Sequence, residues 1–317
     1  MDAAAVISLL LQVAVVLGAA PLVTGLIRKT KARTQRRRGA GLFQPYADLA
    51  KLLRKEVVIS PIASWIFRAT PAIVLGSTLA IALLIPTVAA PVPLGWMGDI
   101  ITVIYLFALG RFFVALAGLD AGSAFGGLGS SREMSIASIV EPAMMLAVFT
   151  AAATAGSTNL GVIAGRLAGA PAAMLNPARL LAFAGLFIVT LAESGRLPVD
   201  NPATHLELTM IHEAMILEYS GRYLAFIEWA SQVKLVIFLA LLANMFFPLG
   251  IAADLSPFAL ALGTAAILAK VLLLAVVVAL VESTNAKLRL FRVPELLTVA
   301  FILSLLALIL YFIVGAA

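Results

Sequence analysis

Eight stretches of mostly apolar residues dominate this chain, and a helix needs about 20 such residues to cross a bilayer. The chain is 62% hydrophobic and 12% charged, whereas soluble domains are roughly 45–50% apolar and about 25% charged. The stretches are Ala3–Ile27, Trp65–Ala89, Asp99–Leu119, Ala137–Gly156, Arg179–Glu193, Tyr223–Pro248, Pro257–Val281 and Leu296–Val314. The sequence therefore predicts an all-α polytopic membrane protein with about eight transmembrane helices, and it excludes an ordinary soluble enzyme.

Lysine and arginine lie on alternate connections between these stretches. The first connection carries Arg28, Lys29, Lys31, Arg33, Arg36, Arg37, Arg38, Lys51, Arg54 and Lys55, and the third, fifth and seventh carry Arg132, Arg196, Arg222, Lys287, Arg289 and Arg292. The even-numbered connections hold only Arg166. Because cytoplasmic loops are enriched in Lys and Arg, we expect the odd connections in the cytoplasm and both termini outside. This charge adjoins apolar segments, so we expect contact with the lipid bilayer and none with nucleic acid.

The chain is predicted to form a single membrane domain, 1–317, because no linker divides it. Its cytoplasmic segments are predicted at 28–64, 120–136, 193–222 and 282–295. The chain has no cysteine, so it cannot bind an iron–sulfur cluster through thiolates or use a cysteine nucleophile.

The first cytoplasmic segment contains a predicted amphipathic helix. After Pro45, apolar residues recur at helical spacing up to Leu53, with Lys51 and Arg54 beside them. This pattern is typical of a helix that lies in the membrane interface. Its positive charge suits anionic lipid headgroups and also a docking surface for a cytoplasmic protein, and the two roles are compatible.

The second segment, 120–133, is rich in glycine and serine. It lacks the glycine–lysine–serine spacing of a phosphate-binding loop, and its glycines favour tight turns against another subunit. Glu141 follows inside a hydrophobic stretch. An acid in such a place is costly, so we expect it to face a protein interior or a wet cavity.

The third segment, 193–221, is predicted to contain a helix that begins after a break. Pro198 and Pro202 prevent a continuous helix, and either Asn201 or Thr204 is suited to cap its start. The helix is predicted to run to about Tyr219, with the following glycine at its end.

Acids and histidines of that predicted helix fall on separate faces. Glu207 and Glu218, eleven residues apart, return to one face, and His205 and His212 share another. Zinc-binding histidines on a helix usually lie four residues apart, so the spacing of seven disfavours a metal site. The acids are open to two interpretations, namely ion pairing with neighbouring arginines or a proton relay among clustered carboxylates.

Ionisable residues also lie within or beside the other apolar stretches. Inserting one such residue into a membrane at the centre of a helix costs roughly 2.5–3.5 kcal/mol of free energy. One interpretation is a polar track through the helix bundle, and the alternative is that Glu228 and Lys234 reach to the interface. The residues concerned are Arg111, Glu141, Glu193, Glu228, Lys234, Lys270 and Glu282.

Two motifs carry a resemblance to a known family. The first is Arg37-Arg38-Gly39 followed by 42–56, which reads Leu-Phe-Gln-Pro-Tyr-Ala-Asp-Leu-Ala-Lys-Leu-Leu-Arg-Lys-Glu. The second consists of Glu193, Arg196, Pro198, Val199, Asp200 and the run Glu218-Tyr219-Ser220-Gly221. With these motifs the chain resembles, over nearly its whole length, subunit 1 of the respiratory complex I family, which in bacteria is called the H subunit.

The segment 204–213, Thr-His-Leu-Glu-Leu-Thr-Met-Ile-His-Glu, is similar to the membrane-bound [NiFe] hydrogenase branch of that family, which includes formate hydrogenlyase and hydrogenase-4. Val199 stands where quinone-reducing members typically have phenylalanine. The resemblance implies a subunit that anchors a soluble redox arm in the membrane and couples electron transfer to ion translocation.

The resemblance also implies a location in the inner membrane of a prokaryote, together with partners and roles. The partners are the hydrogenase large and small subunits, an iron–sulfur subunit and antiporter-like membrane subunits, and they carry the iron–sulfur clusters and the NiFe centre. This chain is expected to hold no catalytic residue, metal or cofactor. Its predicted docking residues are Arg36, Arg37, Arg38, Gln44, Asp48, Lys51, Arg54, Lys55 and Arg196. Its predicted proton path, including members of the polar track, is Glu141, Glu193, Asp200, Glu207, Glu213, Glu218, Glu228, Lys234, Lys270 and Glu282.

Two other functions stay open on the sequence. One is the quinone-site subunit of an NADH-quinone oxidoreductase, against which Val199 and the segment 205–212 count. The other is a stand-alone ion transporter, which the long cytoplasmic loops and the lack of internal repeats disfavour.

Overall fold

The computed structural model describes the chain except for residues 1–2, 171–173, 202–209 and 316–317. Its described part is helical apart from turns and isolated β-bridges. The helices are α1 (Ala3–Thr34), α2 (Gln44–Arg54), α3 (Trp65–Leu84), α4 (Ile100–Asp120), α5 (Ala124–Ala155), α6 (Leu160–Ala168), α7 (Pro177–Glu193), α8 (His212–Ile216), α9 (Gly221–Phe246), α10 (Pro257–Thr284) and α11 (Val293–Gly315). The predicted all-α membrane fold is confirmed.

Seven helices of the described chain are long and apolar enough to cross a membrane: α1, α3, α4, α5, α9, α10, and α11 with its preceding turn. The remaining predicted stretch corresponds to α7, which has 17 residues. Asn176 caps its first turn, and Gly195, with a φ of 57°, follows its end. The number of spans is thus close to the predicted eight.

The helices alternate in direction, so that their connections gather at two ends of the bundle. At one end Thr34 bonds to Ser283, and the carboxylate of Asp120 accepts from the backbone N–H of Ser64. At the other end Tyr311 donates to the carbonyl of Ala153. We call the first the basic end; the described residues of four connections lie there, namely 35–64, 121–123, 194–201 with 210–220, and 285–292. The central helix is α9, which contacts α1, α3, α7 and α10.

The tight turns predicted for the glycine-rich segment 120–133 are wrong for most of its length. Helix α5 begins at Ala124, and the Ser123 hydroxyl caps it by accepting from the N–H of Gly126. A Cβ on Gly126 would lie 2.2 Å from the carbonyl oxygen of Gly118 in α4. These glycines therefore serve the close packing of two helices within this chain, and only 121–123 form a turn.

The predicted helix from 202 to Tyr219 is also wrong in its described part. After 202–209, the only helical residues before α9 are those of α8, which ends at Ile216. The Tyr219 ring stacks on Phe67, with centroids 3.9 Å apart, and the Ser220 hydroxyl bonds to the backbone of Val58. These contacts with another segment replace continued helix, and Gly221 begins α9 instead of ending a helix.

The amphipathic helix of the first cytoplasmic segment lies where it was predicted. Pro45 is in the first turn of α2, Leu49 is buried, and Lys51 and Arg54 are exposed. The Tyr46 hydroxyl donates to the carbonyl of Gly18 in α1. The helix is thereby fixed against α1 and α9.

Candidate functional site

A cavity of about 60 Å³ lies among α3, α4, α5, α8, α9 and the end of α7. It is large enough for several water molecules, each of which needs roughly 10–15 Å³ by this measure. The apolar part of its wall includes Phe107 and Val199. Its ionisable lining residues are Arg111, Glu133, Glu193, Asp200, His212 and Lys234. A water-sized space lined by charged groups is suited to proton exchange.

Arg111 of α4 is the centre of an ion-pair cluster beside the cavity. Its side chain is only 4% exposed, and its guanidinium lies 2.5 Å from Glu141 of α5 and also bonds to Glu193 of α7. Its Nε lies 3.8 Å from the carboxylate of Glu133. One arginine thus joins acids from two other helices. Glu141 pairs with Arg111, but its side chain is 37% exposed and does not line the cavity.

Lys234 of α9 extends the cluster across the cavity. Its Nζ lies 2.7 Å from Oε2 of Glu193 and 5.9 Å from the ring centre of Phe107. Glu193, whose side chain is 2% exposed, therefore lies between two cations. Burying a charge in this way is tolerable only with such partners. We call Arg111, Glu133, Glu141, Glu193 and Lys234 the cavity cluster.

A second cluster lies toward the basic end. The buried carboxylate of Glu282 in α10 is 2.7 Å from Nζ of Lys31 in α1 and 3.4 Å from Arg196. Arg196 follows α7, and its backbone N–H donates to the carbonyl of Leu191. The turn after α7 therefore connects the Glu282 cluster with Glu193.

Asp200 forms a third centre, which combines one cation with several backbone donors. Its carboxylate lies 2.7 Å from Nζ of Lys287 and accepts from the backbone N–H groups of Asn201, Ile211 and His212 at 2.8–3.3 Å. Asp200 itself is 3% exposed. One carboxylate thus holds both ends of the segment 201–211 and ties it to the connection after α10.

The other predicted proton-path residues lie apart from these centres. Lys270 donates to Oδ1 of Asn244 at 2.6 Å, near the opposite end of the bundle. Glu218 is exposed in the turn after α8. It was predicted to share a helix face with another acid, and this is wrong because Glu218 is not in a helix. Glu228 forms no ion pair with any described residue, and Glu213 is half-buried in α8. His205 and Glu207 lie outside the described residues.

The predicted docking residues are mostly exposed on the basic end. Arg36, Arg37 and Arg38 follow α1, and Gln44 donates to Asp48, which also pairs with Arg28 at 3.5 Å. On α2 and just after it, three further side chains are exposed: Lys51, Arg54 and Lys55. Arg196 differs, because its side chain is 12% exposed and paired with Glu282.

Two lining residues, Glu133 and His212, were not among the predicted site residues. Glu133 lies two turns before Glu141, so both acids share a face of α5 and reach the same arginine. That periodicity was available in the sequence, but the glycine-rich composition favoured a loop. His212 was considered only as a metal ligand, because of its spacing from the other histidine. Among the described residues, no group of three or more His, Asp or Glu side chains is placed to hold a metal ion.

Comparisons with known proteins agree with the two motifs. A family model described as NADH dehydrogenase matches residues 6–313. Formate hydrogenlyase subunit 4 of Escherichia coli K12 is 36% identical over 94% of this chain and 96% of its own length. Hydrogenase-4 component C of the same organism is 36% identical over 96% of each chain.

More distant similarities point the same way. The H subunit of the NADH-quinone oxidoreductase of Burkholderia vietnamiensis is 31% identical over 65% of this chain and 60% of its own length. A chain in the structure of the membrane-bound sulfane sulfur reductase, an archaeal respiratory membrane complex, has the same fold, with a TM-score of 0.80 at 20% identity over 96% of this chain and 99% of that one. On this evidence the chain belongs to the NADH dehydrogenase subunit 1 family.

Proposed function

We propose that this chain is the membrane-anchor and proton-path subunit of a complex I-related, energy-converting [NiFe] hydrogenase of the formate hydrogenlyase type. The full-length similarity to formate hydrogenlyase subunit 4 and hydrogenase-4 component C supports this assignment over a quinone-reducing complex. In this proposal the hydrogenase and iron–sulfur subunits sit on the basic end, antiporter-like subunits adjoin in the inner membrane, and both termini lie outside the cytoplasm.

The observation that carries the proposed proton path is the buried ion-pair cluster around a water-sized cavity. Glu193 is buried between Arg111 and Lys234, and the turn after α7 leads to Glu282. Charged groups at membrane depth are retained where they serve a pathway, because each is costly to insert. A change in charge in the soluble arm can shift protons within this cluster, since every member feels its neighbours in a low dielectric.

Changing Glu193 to glutamine is expected to uncouple the complex. Glutamine keeps the size of the side chain and one acceptor for Arg111 or Lys234, but it cannot take up a proton as a carboxylate does. We expect the rate of proton translocation to fall by about 100-fold or more, while electron transfer to the hydrogenase continues. Proton uptake and hydrogen evolution are measured together on the purified complex in liposomes, with reduced methyl viologen as electron donor.

The matched control is Asp254→Asn, which removes an exposed acid at the opposite end of the bundle. It should translocate protons as the wild type does. Full translocation by Glu193→Gln contradicts the proposed path. A preparation that contains flavin and reduces quinone with NADH, without nickel or hydrogen evolution, contradicts the hydrogenase assignment.

Changing Arg36, Arg37 and Arg38 together to glutamine is expected to weaken the attachment of the soluble arm. The three side chains are exposed, and exposed charges at the rim of an interface act through electrostatics that salt screens. We expect a loss of about tenfold or more in the soluble subunits that co-purify, and a steeper loss as salt is raised. Arg222→Gln, an exposed change at the same end, serves as control. Arm retention equal to wild type at high salt contradicts the docking role.

A further inference from the structure

His212 is the one ionisable lining residue of the cavity that lacks a charged partner in the described chain. The cavity acids and bases lie in ion pairs: Glu193 with Arg111 and Lys234, and Asp200 with Lys287. A proton that arrived at one of these acids would leave its cationic partner uncompensated. The half-buried His212 lines the same space, and no ion pair or side-chain hydrogen bond to a described residue engages its ring.

The backbone of His212 is held by hydrogen bonds, whereas no described residue forms one with its ring. The Asp200 carboxylate accepts from its N–H at 3.2 Å and from that of Ile211 at 3.3 Å. Arg132 of α5 donates to the carbonyl of Met210 at 2.9 Å, which holds the chain just before His212 a second time. The imidazole is therefore attached to a rigid support at the cavity wall.

Imidazole is the side chain that gains and loses protons near neutral pH, and it has two ring nitrogens. A neutral ring accepts a proton at one nitrogen and releases one from the other, so it passes a proton onward without net change and without electron transfer. The charged groups around it, on the elements that pack there, are Arg111 of α4, Arg132 and Glu133 of α5, Glu193 of α7, Lys234 of α9, and Asp200 with Lys287.

We infer that His212 is the group through which protons enter and leave the cavity cluster, and that Asp200 is its positioning residue. This inference rests on the proposed function, and it assigns Asp200 a different role from that of a proton carrier. The carboxylate of Asp200 already accepts from four donors, whereas His212 lines the cavity with a ring to which no described residue forms a hydrogen bond or an ion pair.

The test uses the complete complex in liposomes, driven by reduced methyl viologen, with an entrapped pH-sensitive dye. His212→Gln should lower the rate of proton translocation by about 100-fold while hydrogen evolution continues. His212→Ala should behave in the same way, and external imidazole should restore translocation, because a free base can occupy the space left by the ring. A merely structural role of His212 predicts no such restoration. Asp254→Asn should behave as wild type.

The outcomes separate the inference from the function on which it rests. Wild-type translocation by His212→Gln overturns the role of His212 and leaves the hydrogenase assignment intact. The same conclusion follows if the complex with His212→Ala assembles, fails to translocate and does not respond to imidazole. A wild-type complex that evolves hydrogen but moves no protons overturns the proton path and this inference together.

Discussion

Replacing Arg111 with methionine is expected to destabilise the folded chain by about 3–5 kcal/mol, which is the usual cost of removing one partner from a buried ion pair. Arg111 is 6% exposed and holds Glu133, Glu141 and Glu193 from two other helices. Without it, Glu193 keeps only Lys234, and the two acids of α5 lose their cation. The change is measured as the thermal unfolding midpoint of the purified complex in mild detergent.

Two variants make that prediction specific. Arg111→Lys keeps the charge but not the planar fork that reaches several carboxylates, so its loss should be intermediate. Arg111→Met combined with Glu193→Gln should regain part of the stability, because the unpaired buried charge is then removed. An Arg111→Met protein with the wild-type midpoint would show that the cluster does not hold α4, α5 and α7 together.

Replacing Gly221 with alanine is the second change with a large expected effect. The backbone φ of Gly221 is 53°, and a Cβ there would lie 2.3 Å from the carbonyl oxygen of Glu56 and 2.7 Å from that of Lys55. The left-handed conformation alone costs roughly 1–2 kcal/mol, and the collision adds to it. We expect the start of α9 and the connection between α2 and α3 to separate.

Gly76→Ala provides the matched control for Gly221→Ala. Gly76 lies inside α3 with open space where the Cβ would be. Alanine there should stabilise the helix by about 0.5–1 kcal/mol. Limited proteolysis between α2 and α3, together with the thermal midpoint, reports both effects. Equal protease resistance of Gly221→Ala and wild type would contradict the role assigned to this close approach.

The helical layout was predictable because apolar length is a local property of the sequence. Local composition gave the wrong secondary structure in two segments where contacts with distant residues determine the conformation. The glycines of 122–129 suggested turns, yet Gly118 and Gly126 let α4 and α5 approach closely. A loop was therefore predicted where α5 carries Glu133 toward Arg111. The helix expected to reach Tyr219 stops early, because Tyr219 stacks on a ring 152 residues away.

The candidate site was predictable as a set of residue types rather than as a set of partners. The cost of charge in a membrane singled out seven residues. Two of them, Glu228 and Lys270, form no ion pair with a described residue. The other five lie in ion pairs: Arg111, Glu141, Glu193, Lys234 and Glu282. Their partners come from helices far apart in the chain, and no spacing rule connects them. The same reasoning did not distinguish an acid that binds backbone N–H groups, as Asp200 does, from an acid that exchanges protons.

The end of α9 that lies opposite the basic end is held by side chains of two neighbouring helices. The last carbonyls of a membrane helix lack intrahelical partners and have little water available. Here Arg179 of α7 donates to the carbonyls of Met245 and Phe246 at 2.9 and 3.0 Å, and Lys270 of α10 donates to that of Phe247 at 3.3 Å. Two cations from neighbouring helices thus clamp the negative end of the α9 dipole. We therefore expect the far end of α9 to keep its place relative to α7 and α10.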